Sequence, residues 1–167
     1  LNLIMSALKS FKHLPAISFY LMLLGLLSAC DSNRIFEENK EIANGIWNSK
    51  NKVQFEVAIN DTMQLHNFYI NIRNAGAYPY SNLYLFLETE FPDKVYARDT
   101  IECILADNSG RWLGEGSGDI WDNQILFKKG VRFRKTGTYR FTLEQAMRVE
   151  NLPLIMDVGM RIEKATN

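Results

Sequence analysis

Apolar residues recur at every second position over much of the chain beyond residue 52, and this period of two constrains the fold more than any other feature. Between Val53 and Ile59 apolar and polar residues alternate, and the alternation returns at 66–72 and at 156–162. A period of two places apolar side chains on one face of an extended strand, whereas a helix requires a period near 3.6. The pattern therefore predicts half-buried β-strands, of which 156–162 is the clearest.

Turn sequences separate the predicted strands. Asn60-Asp61 and Asp107-Asn108-Ser109-Gly110 are turn-forming, and further strands are predicted at 83–87, 98–106, 125–127, 131–133 and 138–141. About seven or eight short strands joined by turns predict an all-β domain, an antiparallel β-sandwich of the immunoglobulin-like or jelly-roll-like kind. One helical turn is predicted as well, because Thr142-Leu143-Glu144-Gln145 matches a capping box.

The predicted strand at 83–87 is apolar on both faces. Leu83, Leu85 and Leu87 share one parity, and Tyr84 and Phe86 occupy the other. A strand that is apolar on both sides must be covered on both. We therefore expect a local loop or a partner over Tyr84 and Phe86.

The first 30 residues differ from the rest of the chain. Lys9 and Lys12 precede an uncharged stretch of 13 residues, 17–29, and the stretch ends in Leu27-Ser28-Ala29-Cys30. A membrane span requires roughly 20 apolar residues, so this shorter stretch is typical of an export signal. The last four residues resemble the bacterial lipobox, in which the cysteine thiol is acylated. The sequence predicts a lipidated Cys30, and an uncleaved signal anchor is the alternative.

Three segments follow from this interpretation. Residues 1–29 are a lipoprotein signal peptide, 30–51 are the lipidated N-terminus with a polar tether, and 52–167 are the sandwich domain. Ile42, Ile46 and Trp47 predict that the far end of the tether docks on the domain. More than one acyl chain gives stable membrane attachment, at the periplasmic face of an outer membrane or the outer face of an inner membrane.

The charge balance argues against a nucleic-acid partner. Removing Lys9 and Lys12 from 19 basic and 19 acidic residues leaves 17 and 19, a net charge of −2 for the predicted mature chain. Such a chain has no basic field to attract phosphates. If Cys30 is lipidated, Cys103 is left alone, and its apolar neighbours predict a small buried side chain rather than a reactive thiol.

Groups that perform chemistry are scarce in the predicted mature chain. Its one histidine, His66, shares parity with apolar neighbours, which favours strand packing over catalysis. Gly114–Gly118 lacks the Lys-Ser/Thr ending of a phosphate loop, and no nucleophile elbow occurs. Asp99 and Glu102 lie three apart, so on a strand they point to opposite faces. We predict a protein that is not an enzyme and holds no metal and no cofactor.

The glycines of the segment 111–119 are flanked by two tryptophans, Trp112 and Trp121. Aromatic side chains beside polar groups stack on sugar rings or anchor a protein partner. The alternative is that these tryptophans close the open end of the sandwich. We take as candidate partner-binding residues Arg111, Trp112, Trp121, Tyr84 and Phe86.

Several blocks of sequence resemble one known family. The blocks are Asp99–Glu102, the segment 111–120, Glu144–Arg148, Asp157–Lys164 and the strand Tyr84–Leu87. They resemble the gliding motility lipoprotein GldH family of Bacteroidetes, from the lipobox to about Lys164. The resemblance implies a non-enzymatic cell-envelope lipoprotein, an assembly or stabilising component of the gliding and type IX secretion apparatus that contacts other envelope proteins. A glycan- or peptidoglycan-binding module is the alternative function.

Overall fold

The structure, a computed structural model, describes residues 31–116 and 118–166. This part of the chain is nearly all β, as predicted. Its strands are β1 Arg34–Glu41, β2 Ile46–Asn48, β3 Val53–Ile59, β4 Leu65–Ala75, β5 Asn82–Glu90, β6 Tyr96–Ile104, β7 Glu115–Gly116, β8 Ile120–Arg132, β9 Gly137–Gln145, β10 Asn151–Pro153 and β11 Ile155–Lys164. A single 3-10 turn, Ala43–Gly45, joins β1 to β2.

The strands form antiparallel sheets. A five-stranded sheet has the order β1-β11-β4-β8-β7, a four-stranded sheet has the order β3-β9-β5-β6, and β10 pairs with β2. The two larger sheets share one hydrophobic core. The rings of Phe36 in β1 and Phe55 in β3 are 6.2 Å apart, and those of Phe68 in β4 and Phe141 in β9 are 6.3 Å apart. The arrangement is sandwich-like, in agreement with the predicted fold class.

Alternating side chains fill this core as the period of two predicts. Every second residue of β3, from Val53 to Ile59, is buried, and Leu83, Leu85 and Leu87 are at most 1% exposed. Each leucine buried in this way contributes roughly 1.5–3 kcal/mol relative to an exposed one. Inward-facing aliphatic and aromatic residues of both sheets therefore hold the fold together.

Two local predictions were wrong. Thr142–Gln145 is the end of β9 and not a helical turn, because Leu143 pairs with Val53 on one side and Leu87 on the other. Leu143 is fully buried, and this burial outweighs a capping preference of about 1 kcal/mol. The short strands predicted at 125–127 and 131–133 are not separate, because 125–127 and 131–132 lie in one long strand, β8, and Phe133 follows its end.

Ordered structure begins earlier than the sequence suggested. The segment 30–51 was expected to contain a tether, yet β1 already pairs with β11 from Arg34 onward. Trp47 is fully buried and donates from Nε1 to the carbonyl of Asn51 at 2.8 Å. The sandwich therefore starts at β1. Cys30 and the predicted signal peptide, 1–29, lie outside the described residues.

The strand register gives the domain two ends. At the N-terminal end, where β1 begins, Lys164 donates its amide to the carbonyl of Asn33 and pairs with His66, which in turn pairs with Val131. At the loop end, β4 finishes where Ala75 pairs with Ile120. The eleven residues of β4 span about 30 Å between these ends, at roughly 3.3 Å per residue. Within the described ranges, no helix has the length and hydropathy of a membrane span.

The core assignment predicts a sharp difference between neighbouring positions. Ile70 in β4 is fully buried, whereas Leu126 in the adjacent β8 is 44% exposed. Ile70→Ala should lower the free energy of unfolding by about 2–5 kcal/mol, because it leaves a cavity. Leu126→Ala should change it by less than about 1 kcal/mol. Urea unfolding measures both, and equal losses would contradict the assignment.

Candidate partner-binding surfaces

The predicted turn at 107–110 is built around the carboxylate of Asp107. Its Oδ1 accepts hydrogen bonds from the Ser109 amide at 2.9 Å, the Ser109 hydroxyl at 2.6 Å and the Arg111 amide at 3.0 Å. Arg111 Nε donates to Oδ2 at 3.1 Å. The Ser109 side chain, followed by the Arg111 amide, lowers the pKa of Asp107 to about 2. The Arg111 side chain is 79% exposed and is available at the loop end.

Trp112 contributes to the packing of the loop end. The backbone of Trp112 forms an isolated β-bridge with Ala106, and the indole ring lies 6.4 Å from the ring of the buried Tyr78. The side chain is half-buried against the core. This position fits the alternative that we gave for the tryptophans, closure of the sandwich end.

Trp121 in β8 lies against two glycines. A Cβ at Gly116 would lie 2.9 Å from Cε3 of Trp121, and a Cβ at Gly76 would lie 3.4 Å from its Nε1. Gly116 is also the register partner of Trp121 across the short ladder between β7 and β8. The indole therefore requires small residues around it, which gives the glycine-rich segment a structural role.

Tyr84 and Phe86 lie on the outer face of the four-stranded sheet. Tyr84 is 38% exposed. The Arg98 guanidinium lies 4.3 Å from the centre of the Phe86 ring and 3.7 Å from the Glu144 carboxylate. A cation thus covers Phe86 from within the domain, whereas Tyr84 remains accessible. The five predicted residues consequently occupy two surfaces, one at the loop end and one on this sheet.

A polar face that the sequence reasoning missed covers the outer side of the five-stranded sheet. Register pairs define three rows that run across β1, β11, β4 and β8. The rows are Glu37-Arg161-Tyr69-Leu126, then Asn39-Gly159-Asn71-Gln124, then Glu41-Asp157-Arg73-Asp122, which Glu115 of β7 extends. In the sequence, these rows are indicated only by polar residues at alternate positions within each strand.

Hydrogen bonds join the middle row into one amide array. Asn71 Nδ2 donates to Asn39 Oδ1 at 3.1 Å and to Glu37 Oε1 at 3.1 Å, and Gln124 Nε2 donates to Asn71 Oδ1 at 3.3 Å. Gly159 makes this reach possible, since a Cβ there would lie 1.7 Å from Asn39 Oδ1. The array therefore requires glycine at that position.

Ion pairs hold the flanking rows. Arg161 Nη1 donates to Glu37 Oε2 at 2.8 Å, and Arg73 lies 3.1 Å from Asp122. Burial acts to raise the pKa of Glu37, but hydrogen bonds from Arg34, Arg161 and Asn71 outweigh it, so that the pKa is lowered. The Glu37 carboxylate is thus charged and held in place at neutral pH.

The polar face forms a cavity of about 640 Å³ against the loop end. Asn39, Asn71 and Gln124 line it from the strands, and Leu113, Gly114 and Glu115 form one wall. The amide and carboxylate side chains that line the cavity together provide hydrogen-bond donors and acceptors, which suits a hydroxyl-rich or peptide ligand. Neither Trp112 nor Trp121 is among the lining residues.

The groups considered for catalysis are dispersed. Cys103 is fully buried, and burial raises the pKa of its thiol to about 12. His66 is buried against Phe133, burial lowers its pKa, and its Nδ1 has no hydrogen-bond partner in the described structure. Asp99 pairs with Lys128, and Glu102 accepts a hydrogen bond from Asn82. In the described ranges, no three His, Cys, Asp or Glu residues gather at a potential metal site.

Comparison with known proteins places these features in a family context. The family model described as GldH lipoprotein matches residues 34–162. The chain is 35% identical over 159 residues to a "Gliding motility lipoprotein GldH homolog" of Christiangramia forsetii. This alignment covers 91% of the chain and 97% of the relative. It is 34% identical over 146 residues to the "Gliding motility lipoprotein GldH" of Flavobacterium johnsoniae, covering 83% of this chain and 90% of the relative. The resemblance seen in the sequence is confirmed.

The lowered pKa of Asp107 predicts an acid-resistant loop. Because the folded pKa of about 2 lies below the ordinary value of 3.8, the carboxylate stabilises the loop above pH 3.8 and loses this effect as the pH falls through about 2. Carboxyl NMR titration should show the low pKa, and Ser109→Ala should raise it by removing the main donor. A value at or above 3.8 in the unaltered protein would contradict the hydrogen-bond network.

Proposed function

Because the chain belongs to the GldH lipoprotein family, we propose that it is a lipid-anchored cell-envelope protein required for gliding motility. It serves as a non-enzymatic assembly or stabilising component of the gliding and type IX secretion apparatus. The family match over 34–162 carries this proposal. The lipobox at Leu27–Cys30 supplies the anchor.

The position of the first strand supports a short attachment. Asn33 lies at the N-terminal end of the domain, where its carbonyl accepts the amide of Lys164. It lies three positions after Cys30 along the chain, and a connection of that length extends at most about 10 Å. A lipid on Cys30 holds the N-terminal end close to the bilayer.

The loop end then projects away from the membrane. It lies about 30 Å from the N-terminal end, the length of β4 at the rise of a strand. The half of the domain at the loop end contains the exposed Arg111, the Tyr84 side chain and the polar cavity. Other envelope proteins can reach these features there. Confinement to a membrane raises the effective concentration of such partners. These surfaces are the proposed contacts of the apparatus.

The dispersed reactive groups support a non-enzymatic role. The thiol of Cys103 is buried and protonated at neutral pH, so it is not a nucleophile. His66 packs against Phe133 with ring centres 5.1 Å apart and does not face the polar cavity. The protein therefore acts through its surfaces.

The polar cavity favours a second candidate function, binding of glycan or peptidoglycan. Asn71 and Gln124 present amides, and Asp122 and Glu115 present carboxylates, to the same space of about 640 Å³. Such groups hydrogen-bond sugar hydroxyls without an aromatic platform. The proposed site for this function is the cavity rather than the two tryptophans.

Lipidation is tested by replacing the acylated residue. Cys30→Ser should abolish incorporation of labelled palmitate and shift the protein from the membrane to the soluble fraction, because the anchor is lost. Cys103→Ser is the matched control, since its thiol is buried, and it should retain the label. Absence of fatty acid on the unaltered protein would contradict the proposal.

The partner surfaces are tested by exposed substitutions. Arg111→Glu combined with Tyr84→Ala should reduce spreading on agar and recovery of co-purifying envelope proteins severalfold at normal protein levels. Arg148→Glu is the control, an exposed charge reversal in the connection between β9 and β10. Unchanged spreading and unchanged partners in the double variant would rule out these surfaces.

The glycan function is tested by calorimetry with peptidoglycan fragments. Saturable binding should weaken about tenfold in Asn71→Ala, because a hydrogen-bonding partner contributes on the order of 1–1.5 kcal/mol. Arg111→Ala, outside the cavity lining, should leave the affinity unchanged. Lack of binding by the unaltered protein would remove this candidate.

A further inference from the structure

A second cavity opens between the two large sheets at the N-terminal end. It has a volume of about 510 Å³, within the range of ligand-binding pockets. Its floor consists of buried core side chains, and its mouth includes the exposed Val95 and Val131. We call it the aromatic cleft, after the residues Phe68, Phe91, Phe127, Phe133, Tyr139 and Phe141.

The sequence of β6 explains why the core stops short here. Its inward positions are filled by the buried Cys103 and Ile101 in one half. In the other half the same parity carries Asp99 and Ala97, which line the cleft and are not buried. A small and an acidic residue leave apolar space opposite Phe127 unfilled. An ion pair of 2.7 Å between Lys128 and Asp99 crosses the space at its side.

The mouth of the cleft is cationic. Among its lining residues Lys135 pairs with Asp93, and Lys128 pairs with Asp99. The guanidinium groups of Arg132 and Arg134 are exposed, and neither forms an ion pair within the described ranges. An apolar cleft with two available cations matches a ligand that has an apolar chain and an anionic head.

The surrounding surface has the same sign. The segments at the N-terminal end, 31–34, 60–64, 91–95, 129–135 and 164–166, contain seven basic and three acidic residues, a net charge of +4. The rest of the predicted mature chain contains ten basic and sixteen acidic residues, a net charge of −6. The positive charge is thus concentrated at the end where the chain leaves for Cys30.

We propose that this end binds an anionic phospholipid of the membrane that carries the protein. The headgroup lies on Arg132 and Arg134, and one acyl chain enters the aromatic cleft. The inference rests on the proposed anchor, because a short connection to Cys30 brings the mouth of the cleft to the bilayer surface. Basic residues near an anionic surface each contribute about a factor of five in binding, and the cleft adds apolar contact.

The test uses the purified, lipidated full protein in phosphatidylcholine vesicles that contain phosphatidylglycerol with a diazirine on its acyl chain. After irradiation, mass spectrometry should locate cross-links at Phe127, Phe133 and Val95. The same diazirine placed on phosphatidylcholine should label these positions severalfold less. Palmitate incorporation, measured on the same sample, separates failure of the anchor from failure of the lipid site.

Three variants define the site. Arg132→Gln with Arg134→Gln should lower cross-linking in the cleft roughly tenfold or more, and Ala97→Phe should abolish it by filling the space. Arg111→Gln with Arg148→Gln removes two charges at the loop end and should have no effect. Equal labelling from both probes, or no labelling of the cleft in an acylated and attached protein, would overturn the proposal.

Discussion

The pairing of β11 with both β1 and β4 is the interaction on which the rest of the structure depends. One side of β11 buries Val158, Met160 and Ile162 in the core, and its other side carries Arg161 into the polar face. Because β1 is held only by this strand within the five-stranded sheet, the same ladder fixes where the chain enters the domain. The register of one strand thereby determines the core, the polar face and the N-terminal end together.

The polar face illustrates how a sheet surface can be ordered without being buried. Exposed ion pairs individually contribute little to stability, typically less than about 1 kcal/mol. Here Arg161 contacts Glu37 at 2.8 Å and Glu163 at 2.9 Å. Asn71 donates to Asn39 in its own row and to Glu37 in the next row. These shared partners fix side-chain positions, so that the array is already in place for the glycan proposed as its ligand. Pre-organisation of this kind favours binding more than it favours stability.

The sequence predicted the fold where burial and exposure alternate within one strand, as in β3 and β11. It missed β1 because RIFEENKE is mostly charged, and the strand is recognisable only through a partner more than 100 residues away. The polar face was missed for the same reason, since Glu37, Asn71 and Arg161 meet only through register. Trp112 and Trp121 were predicted from their position beside the glycine-rich loop, whereas their packing depends on Tyr78 and Gly116. Local patterns predict strands, whereas sites arise from long-range pairing.

In the proposed arrangement, a short anchor holds the N-terminal end at the bilayer while the loop end projects outward. Spin labels can be placed at Met63→Cys, near the N-terminal end, and at Arg148→Cys, at the loop end. The membrane depth of each label is then measured in reconstituted vesicles from its accessibility to paramagnetic relaxation agents in lipid and in water. The buried Cys103 does not compete for label. We expect position 63 to lie at the headgroups and position 148 about 30 Å farther into water, the length of a strand such as β4. Equal depths, or position 148 closer to the lipid, would contradict it.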